Sequence, residues 1–202
     1  MIEQRILDAF AAAPRERFLP HGEVRFAGLD RPLEIGHGQT NSQPTTVRHL
    51  LELMEAEPGD RVLDVGCGSG WTTALLAQLV GRKGEVVGVE IVPDLVAFGR
   101  ANLAGLHLPW ARIEQARDDV LGRPEDGPFD RILVSAEANG VPDALVEQLR
   151  EGGLMVVPVR GRLWTVRRPA GWPGTKADVV RHGHYAFVPL LEPGDQTRSG
   201  AQ

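Results

Sequence analysis

The stretch RVLDVGCGSGWTTALLAQLVG, residues 61–81, changes its pattern twice and indicates the fold class. RVLDV (61–65) is a short apolar run with one acidic residue, which is typical of a buried strand. WTTALLAQLV (71–80) is long and apolar enough for a helix, and Gly81 supplies its end. Three glycines separate the two elements. A strand, a glycine turn and a helix in this order predict one unit of an α/β sheet.

The same alternation continues towards the carboxyl terminus. The predicted elements are helices at 93–106 and 141–149 and strands at 84–90, 112–116, 129–136, 154–159, 163–168 and 184–191. The last two strands are expected to form an antiparallel pair. Strands and helices at this spacing indicate a doubly wound, mostly parallel sheet of seven strands, which is a Rossmann-like α/β fold.

A short helical and irregular extension precedes this alternation. Residues 2–12 predict a helix because their apolar side chains share one face. Residues 20–46 are irregular and rich in glycine, proline and polar residues, and so long an irregular stretch in a compact domain is usually either functional or mobile. A second helix is predicted from Pro44. The expected organisation is a single domain (1–192), made of the extension (1–57) and the sheet (58–192), followed by a disordered tail (193–202).

The composition of the whole chain limits the possible functions. It has 202 residues, 42% of them apolar, a formal net charge of −5 and a single cysteine, Cys67. The negative charge argues against a nucleic-acid partner, and no apolar run is long enough to span a membrane. One cysteine excludes an internal disulfide, and no signal segment is recognisable. We expect a soluble cytoplasmic monomer without a metal centre, because the His182 and His184 pair has no further ligands in sight.

The glycine turn predicts a ligand site, because ligands of open α/β sheets bind beyond the carboxyl ends of the strands. The turn consists of Gly66, Cys67, Gly68, Ser69 and Gly70. Its G-x-G-x-G spacing differs from the G-x-G-x-x-G of dinucleotide sites. Asp64 lies just before it, where a carboxylate would repel a pyrophosphate but suits a cationic amino-acid head group. We interpret Cys67 as a small residue of the loop rather than as a nucleophile.

Acidic residues also follow the next two predicted strands. Glu90 ends the strand 84–90, where a carboxylate can accept hydrogen bonds from both hydroxyls of a ribose. Asp118 and Asp119 follow the strand 112–116, and either carboxylate suits the amino group of an adenine. A nucleoside with a positively charged amino-acid tail and no phosphate matches these features. The residues therefore predict S-adenosyl-L-methionine as the cofactor.

Together with segments on either side, these motifs establish a resemblance. The sequence resembles the protein-L-isoaspartate O-methyltransferase family over residues 5–190. The matching pieces are PRERFLP (14–20), DRPLEIGHGQTNSQPTTV (30–47), PGDRVLDVGCGSGWTTALLA (58–77), GEVVGVEIVPDLV (84–96), PFDRILVSAEANGVPDALVEQLREGGLMVVPV (128–159) and FVPL (187–190). The glycine motif is shared with many other methyltransferases. The segment IGHGQTNSQP (35–44) is the more specific one.

The resemblance implies an activity and a set of site residues. Members transfer a methyl group from S-adenosyl-L-methionine to the α-carboxylate of an isoaspartyl residue in a damaged protein or peptide. The resulting ester collapses to a succinimide, which partly reopens as normal aspartate. The active-site serine of the family falls on Ser42. The cofactor contacts of the family fall on Gly66–Gly70, Glu90 and Asp118.

Methyl transfer to a carboxylate gives the segment around Ser42 a physical interpretation. The nucleophile is already ionised at neutral pH, so that no strong base is needed. A neutral hydroxyl can orient the carboxylate without holding it as tightly as an arginine would. We interpret Ser42 as this donor, and Thr40, Asn41 and Gln43 as residues that shape the turn or bind the peptide backbone. The alternative is that Ser42 merely caps the helix that begins near Pro44.

Four positions depart from the family pattern. Asn41 stands where an apolar residue is usual, Thr45 where an aromatic is common nearby, RDD (117–119) where GDG is usual, and AEAN (136–139) where AAAP is usual. The differences around Ser42 and at AEAN leave open a methyltransferase for an aspartate of a dedicated peptide. A non-catalytic module that binds S-adenosyl-L-methionine is a further alternative, from another class of function. A nicotinamide oxidoreductase fits poorly because of the glycine spacing and Asp64.

Overall fold

A computed structural model describes residues 2–191 of the chain. The helices are α1 (Ile2–Ala12), α2 (Pro44–Met54), α3 (Trp71–Val80), α4 (Pro93–Ala104) and α5 (Asp143–Val146). The strands are β1 (Leu33–Gly36), β2 (Gln39–Asn41), β3 (Arg61–Val65), β4 (Glu85–Glu90), β5 (Ala111–Gln115), β6 (Phe129–Val134), β7 (Leu149–Val159), β8 (Arg162–Arg167) and β9 (Asp178–His184). None of the described helices is long and apolar enough to cross a membrane.

The main sheet has seven strands in the order β5-β4-β3-β6-β7-β8-β9. Strands β3 to β7 run parallel, and β8 and β9 are antiparallel to their neighbours. The expected doubly wound, mostly parallel sheet with an antiparallel end is therefore confirmed. The chain passes from β3 outward to β5 and then returns to β6 on the other side of β3. This reversal creates a crevice at the carboxyl end of β3, where such sheets bind ligands.

Buried side chains cover both faces of the sheet. Helix α3 buries nine of its ten residues, because it lies between the sheet and α1. Ile6 of α1 and Leu50 of α2 belong to the same buried cluster as Leu75 of α3. The amino-terminal extension therefore packs into the main core, and its packing holds the irregular segment against the carboxyl ends of the strands.

Three predicted elements near the carboxyl terminus have the wrong extent. The helix predicted at 141–149 is a single turn, α5, and β7 begins already at Leu149 instead of residue 154. Leu149 pairs with Phe129 of β6, so that sheet pairing prevails over the helical pattern. The last strand is β9, not the predicted 184–191.

The chain beyond β9 leaves the sheet and crosses the carboxyl ends of the parallel strands. Its backbone is anchored on Glu137: the Glu137 amide donates to Val188 O at 2.7 Å, and the Leu190 amide donates to Glu137 O at 2.8 Å. We call residues 188–191 the carboxyl-terminal strap. The tail predicted at 193–202 lies outside the described residues.

The region 20–46, expected to be irregular, contains a short β-hairpin. Strands β1 and β2 pair antiparallel, with Leu33 opposite Asn41. Gly36, His37 and Gly38 all have positive φ angles, which a tight reversal requires. Leu33 and Ile35 are buried and fix the hairpin against the core. The hairpin thereby brings the segment before α2 close to the glycine loop.

Candidate active site

Two adjoining cavities open at the carboxyl ends of β3, β4 and β5. The first, which we call the nucleoside cavity, includes glycine-loop residues, strand-end acids and the carboxyl-terminal strap in its lining; among them are Gly66, Gly68, Glu90, Asp118 and Leu190. The second, which we call the serine cleft, is lined by Thr40, Asn41, Ser42, Gly66, Cys67, Gly68, Ser69, Trp71, Thr72 and Ser135. Since Thr40, Gly66 and Gly68 line both, the two cavities are contiguous.

The glycine loop adopts a backbone that side chains would disturb. Gly66, Gly68 and Gly70 have φ angles of +75°, +53° and +85°. A Cβ atom at Gly70 would lie 2.7 Å from Ile113 Cδ1 and 3.3 Å from Gly99 O. The alternating glycines therefore permit both the turn and the close packing of α3 on the sheet.

Glu90 connects the end of β4 to the glycine loop. Its side chain is buried, and its Oε2 accepts the Gly68 amide at 2.9 Å. Its Oε1 accepts the amides of Ile91 and Val92 at 2.7 and 2.9 Å. These bonds fix the carboxylate at the wall of the nucleoside cavity. Two oxygens with about four acceptor positions leave capacity for a further donor such as a ribose hydroxyl.

Asp64 lies beneath the glycine loop and lines neither cavity. Its carboxyl is fully buried, and its Oδ2 accepts hydrogen bonds from Thr72 and Thr73, both at 2.7 Å. Ser135 donates to Oδ1 at 3.4 Å. Burial raises the pKa of Asp64 to about 6, although the hydroxyl donors oppose the shift. The direct contact with the cofactor expected from the sequence is replaced here by a supporting position under the loop.

The two neighbouring aspartates at the end of β5 have different surroundings. Asp118 lines the nucleoside cavity together with Glu90. Asp119 does not line this cavity but an adjoining open groove, which shares Val120 and Leu121 with it. Asp119 pairs with Arg117, which donates to both of its oxygens at 3.0 and 3.1 Å. Hydrogen bonding to Arg117 lowers the pKa of Asp119. The geometry therefore favours Asp118 where the sequence left the choice open.

Ser42 lies in the serine cleft beside the glycine loop, and it does not cap α2. The residue before that helix is Gln43, which makes no side-chain capping bond. Asp30 takes this role from the hairpin side, because its carboxylate accepts the Thr45 amide at 2.9 Å and the Thr45 hydroxyl at 2.7 Å. The capping interpretation of Ser42 is therefore wrong.

The three neighbours of Ser42 lie in different places. Thr40 is exposed and lines both cavities. Asn41 lines the serine cleft, but its side chain is buried and bonded to Arg15 and Ser69. Gln43 is turned towards Asp30, to which its amide donates at 3.0 Å, and it lines neither cavity.

The glycine-loop cysteine is buried in the same cleft. Burial raises the pKa of the Cys67 thiol, and the nearby carboxylates of Asp64 and Glu90 add to the effect. The thiol therefore stays protonated at neutral pH, which suits a small loop residue and not a nucleophile.

Sequence reasoning missed the residues that hold the hairpin in place. Arg15 is buried and bonds the backbone of Asn41 and Ser42 from behind. Its segment, PRERFLP, contributed only to the family resemblance. The carboxyl-terminal strap was predicted as a strand, although Pro189 within it cannot donate a backbone hydrogen bond.

Among the described residues, no group of three or more potential metal ligands is found.

The fold and the contiguous cavities define a Rossmann-like methyltransferase. The family model for protein-L-isoaspartate(D-aspartate) O-methyltransferase matches residues 1–193. The chain belongs to this family, which confirms the resemblance identified in the sequence.

Individual relatives agree with this assignment. The protein-L-isoaspartate O-methyltransferase of Methanopyrus kandleri is 41% identical, over 93% of this chain and 83% of the relative. That of Aeropyrum pernix is 44% identical, over 93% and 73%. A Plasmodium falciparum crystal structure described under the same activity, in complex with S-adenosyl-L-homocysteine, superposes with a TM-score of 0.81 at 27% identity. That superposition covers 93% of this chain and 90% of the other.

Proposed function

We propose that this protein methylates the α-carboxylate of L-isoaspartyl residues in damaged proteins, with S-adenosyl-L-methionine as the methyl donor. The methyl ester then closes to a succinimide, from which normal aspartate can form. One observation carries the proposal: the hairpin places Ser42 in the same cleft as the glycine loop. Family membership supplies the substrate class.

The nucleoside cavity fits the proposed cofactor. Its glycines allow a ligand to approach the backbone closely, and Glu90 presents a fixed carboxylate suited to ribose hydroxyls. Asp118 supplies an acceptor for an adenine amino group, and apolar residues such as Ile35 and Leu190 complete the walls. When bound there, S-adenosyl-L-methionine supplies an electrophilic methyl group. Asp64 contributes indirectly, since it holds Thr72 and Ser135 beside the loop.

The serine cleft supplies hydroxyl groups, and most of them already have protein partners. The hydroxyls of Thr72 and Ser135 donate to Asp64, and that of Ser69 accepts the Asn41 amide. Ser42 and Thr40 are left to face an acceptor. We assign Ser42 as the group that donates a hydrogen bond to the acceptor carboxylate and so orients its second oxygen towards the methyl group.

The charge distribution around the cleft supports a neutral donor. Arg15 lies behind the Ser42 backbone, and its guanidinium is occupied by carbonyl and amide oxygens. It therefore does not form an ion pair that would hold the acceptor carboxylate in its ground state. The carboxylate is a nucleophile in its ionised form, so that orientation and desolvation are the tasks left to the protein.

Two departures from the family pattern have internal structural roles. Asn41 bonds protein groups, and Glu137 anchors the strap while its Oε2 accepts the Gly161 amide at 3.0 Å. Neither residue therefore argues for a dedicated aspartyl substrate.

As part of the same proposal, the protein acts as a cytoplasmic monomer on isoaspartyl proteins or peptides, not on nucleic acid or membranes.

The test is transfer of a tritiated methyl group to matched isoaspartyl and aspartyl peptides. We expect a strong preference for the isoaspartyl peptide, lost in Ser42→Ala and kept in Thr175→Ala, a control at an exposed hydroxyl. Equal transfer to both peptides would favour a dedicated aspartyl substrate. Binding of the cofactor without transfer to either peptide would overturn the proposal.

A further inference from the structure

We propose that Arg15 and Asn41 act as a positioning unit that links the acceptor segment 39–43 to the glycine loop, so that the cofactor cavity and the acceptor site are coupled. The inference rests on the proposed function for its catalytic consequence. Its structural part concerns only how one loop holds the other.

The guanidinium of Arg15 organises the segment from behind. Arg15 is only 5% exposed. It donates to six oxygens, all of them carbonyl or side-chain amide oxygens: Ala27 O, Leu29 O, Arg31 O, Asn41 O, Ser42 O and Asn41 Oδ1, at distances of 2.8 to 3.3 Å. A guanidinium has five N–H groups in a planar fork, so six acceptors require at least one shared N–H, and Nη2 with its two hydrogens contacts three of the oxygens. The carbonyl groups of Asn41 and Ser42 are thereby fixed.

Asn41 carries the connection forward to the cofactor side. Its Oδ1 accepts the Arg15 Nε donor at 2.8 Å, and its Nδ2 donates to Ser69 Oγ at 3.2 Å. Ser69 is itself buried, and its carbonyl accepts the Asn102 amide of α4 at 3.0 Å. A continuous chain of buried polar contacts therefore runs from Arg15 through the residue before Ser42 to the residue before Gly70.

The surroundings of Arg15 make this arrangement specific to a guanidinium. Burial lowers the pKa of Arg15, and Asp30 partly offsets this effect. The guanidinium carbon lies 5.4 Å from the centre of the Trp71 ring, at the start of α3. A lysine has three donors on one nitrogen and cannot reach oxygens spread around a plane. Lysine at position 15 would keep the charge but release the acceptor segment.

The first experiment measures hydrogen–deuterium exchange with S-adenosyl-L-homocysteine as the probe. Binding of the probe is expected to slow exchange of the amides in 39–43 in the wild-type protein. This protection is expected to be lost in Asn41→Ala and in Ser69→Ala, because each variant removes one partner of the hydrogen bond from Asn41 Nδ2 to Ser69 Oγ. Equal protection of 39–43 in all three proteins would overturn the coupling, whatever the acceptor is.

The second experiment separates positioning from folding. We expect Arg15→Lys to lower kcat for the isoaspartyl peptide by about 10- to 100-fold, as a small misplacement of a catalytic segment does. Affinity for S-adenosyl-L-homocysteine should change by no more than about 3-fold. Arg131→Lys is the matched control, because Arg131 is also buried and bonds the carbonyls of Met54 and Glu55, remote from both cavities.

The outcomes distinguish this inference from the proposed function. If Arg15→Lys and Arg131→Lys lose stability alike and both retain wild-type kcat, Arg15 has only a structural role and the inference fails. A double-mutant cycle compares Asn41→Ala, Ser69→Ala and the double variant. Because each single variant already removes the hydrogen bond between Asn41 Nδ2 and Ser69 Oγ, the double variant should lose no more activity than the more damaged single variant. A wild-type protein that shows coupled exchange but no transfer to isoaspartyl peptides would contradict the proposed function alone.

Discussion

The two sides of the active site are built by different means. On the cofactor side, the backbone of residues 66–70 and the carboxylate of Glu90 are set within one βαβ unit, by glycines and local amide bonds. On the acceptor side, Ser42 follows a hairpin with only three residue pairs, and the side chain of Arg15, distant in the sequence, holds its backbone. A local motif therefore defines the cofactor side, whereas the acceptor side depends on long-range polar contacts.

The largest effect is expected from damage to the cofactor side alone. Gly70→Ala would place a Cβ atom 2.7 Å from Ile113 Cδ1 on a backbone with a φ of +85°. Relief of this strain must move the loop, including Gly68 and Ser69, which line the cavities. We therefore expect affinity for S-adenosyl-L-homocysteine, measured by calorimetry, to fall by about 100-fold. Gly28→Ala is the control, since nothing lies within 4 Å of its added Cβ. Unchanged affinity in Gly70→Ala would show that the loop tolerates a side chain.

A second prediction concerns Asp64, the buried support of the cofactor side. Its pKa is raised from 3.8 to about 6, so that the folded state holds the proton more tightly than the unfolded chain. Its contribution to stability is therefore fully present below about pH 4 and is lost as the pH rises to about 6, a change of about 3 kcal/mol. In Asp64→Asn this dependence should disappear.

The measurement is the free energy of unfolding in urea between pH 4 and 7, for the wild-type protein and Asp64→Asn. The difference between the two proteins isolates Asp64 from other groups that titrate in the same range. We expect the stability of the variant, relative to the wild type, to increase as the pH rises. Parallel curves for the two proteins would mean that Asp64 titrates alike in the folded and unfolded states.

The smallest effect sharpens the assignment within the nucleoside cavity. Asp118→Asn should weaken binding of S-adenosyl-L-homocysteine by about 10-fold at most, since one exposed acceptor for the adenine amino group is replaced. Asp119→Asn should leave it unchanged, because Asp119 faces Arg117 and a different groove. The opposite ranking of the two variants would move the adenine contact to Asp119.

The sequence predicts the cofactor side well, because its signals are local. The apolar run 61–65, the alternating glycines and Glu90 occupy the expected strand, turn and strand end. Asp64 is the exception, since sequence alone does not show that Thr72 and Thr73 of the next helix take up its carboxylate.

The acceptor side is predicted only through the family resemblance. Strands β1 and β2 have four and three residues, too few for a periodic pattern to be recognised. Arg15 finds its partners 12 to 27 residues further along the chain, and no local pattern reports such contacts. The predicted bounds of the helix 141–149 and of the last strand are wrong for a related reason. The pairing of β7 with β6 begins at Leu149, and the pairing of β9 with β8 places the last strand before residue 185.

If the two sides form one site with separate tasks, Ser42→Ala should impair methyl transfer without impairing cofactor binding. Affinity for S-adenosyl-L-homocysteine and methyl transfer to an isoaspartyl peptide should be measured on the same preparation. We predict affinity within about 2-fold of the wild type and a loss in kcat of about 100-fold, the size expected for removal of one orienting donor. Methyl transfer at the wild-type rate by Ser42→Ala would show that Ser42 does not orient the acceptor carboxylate.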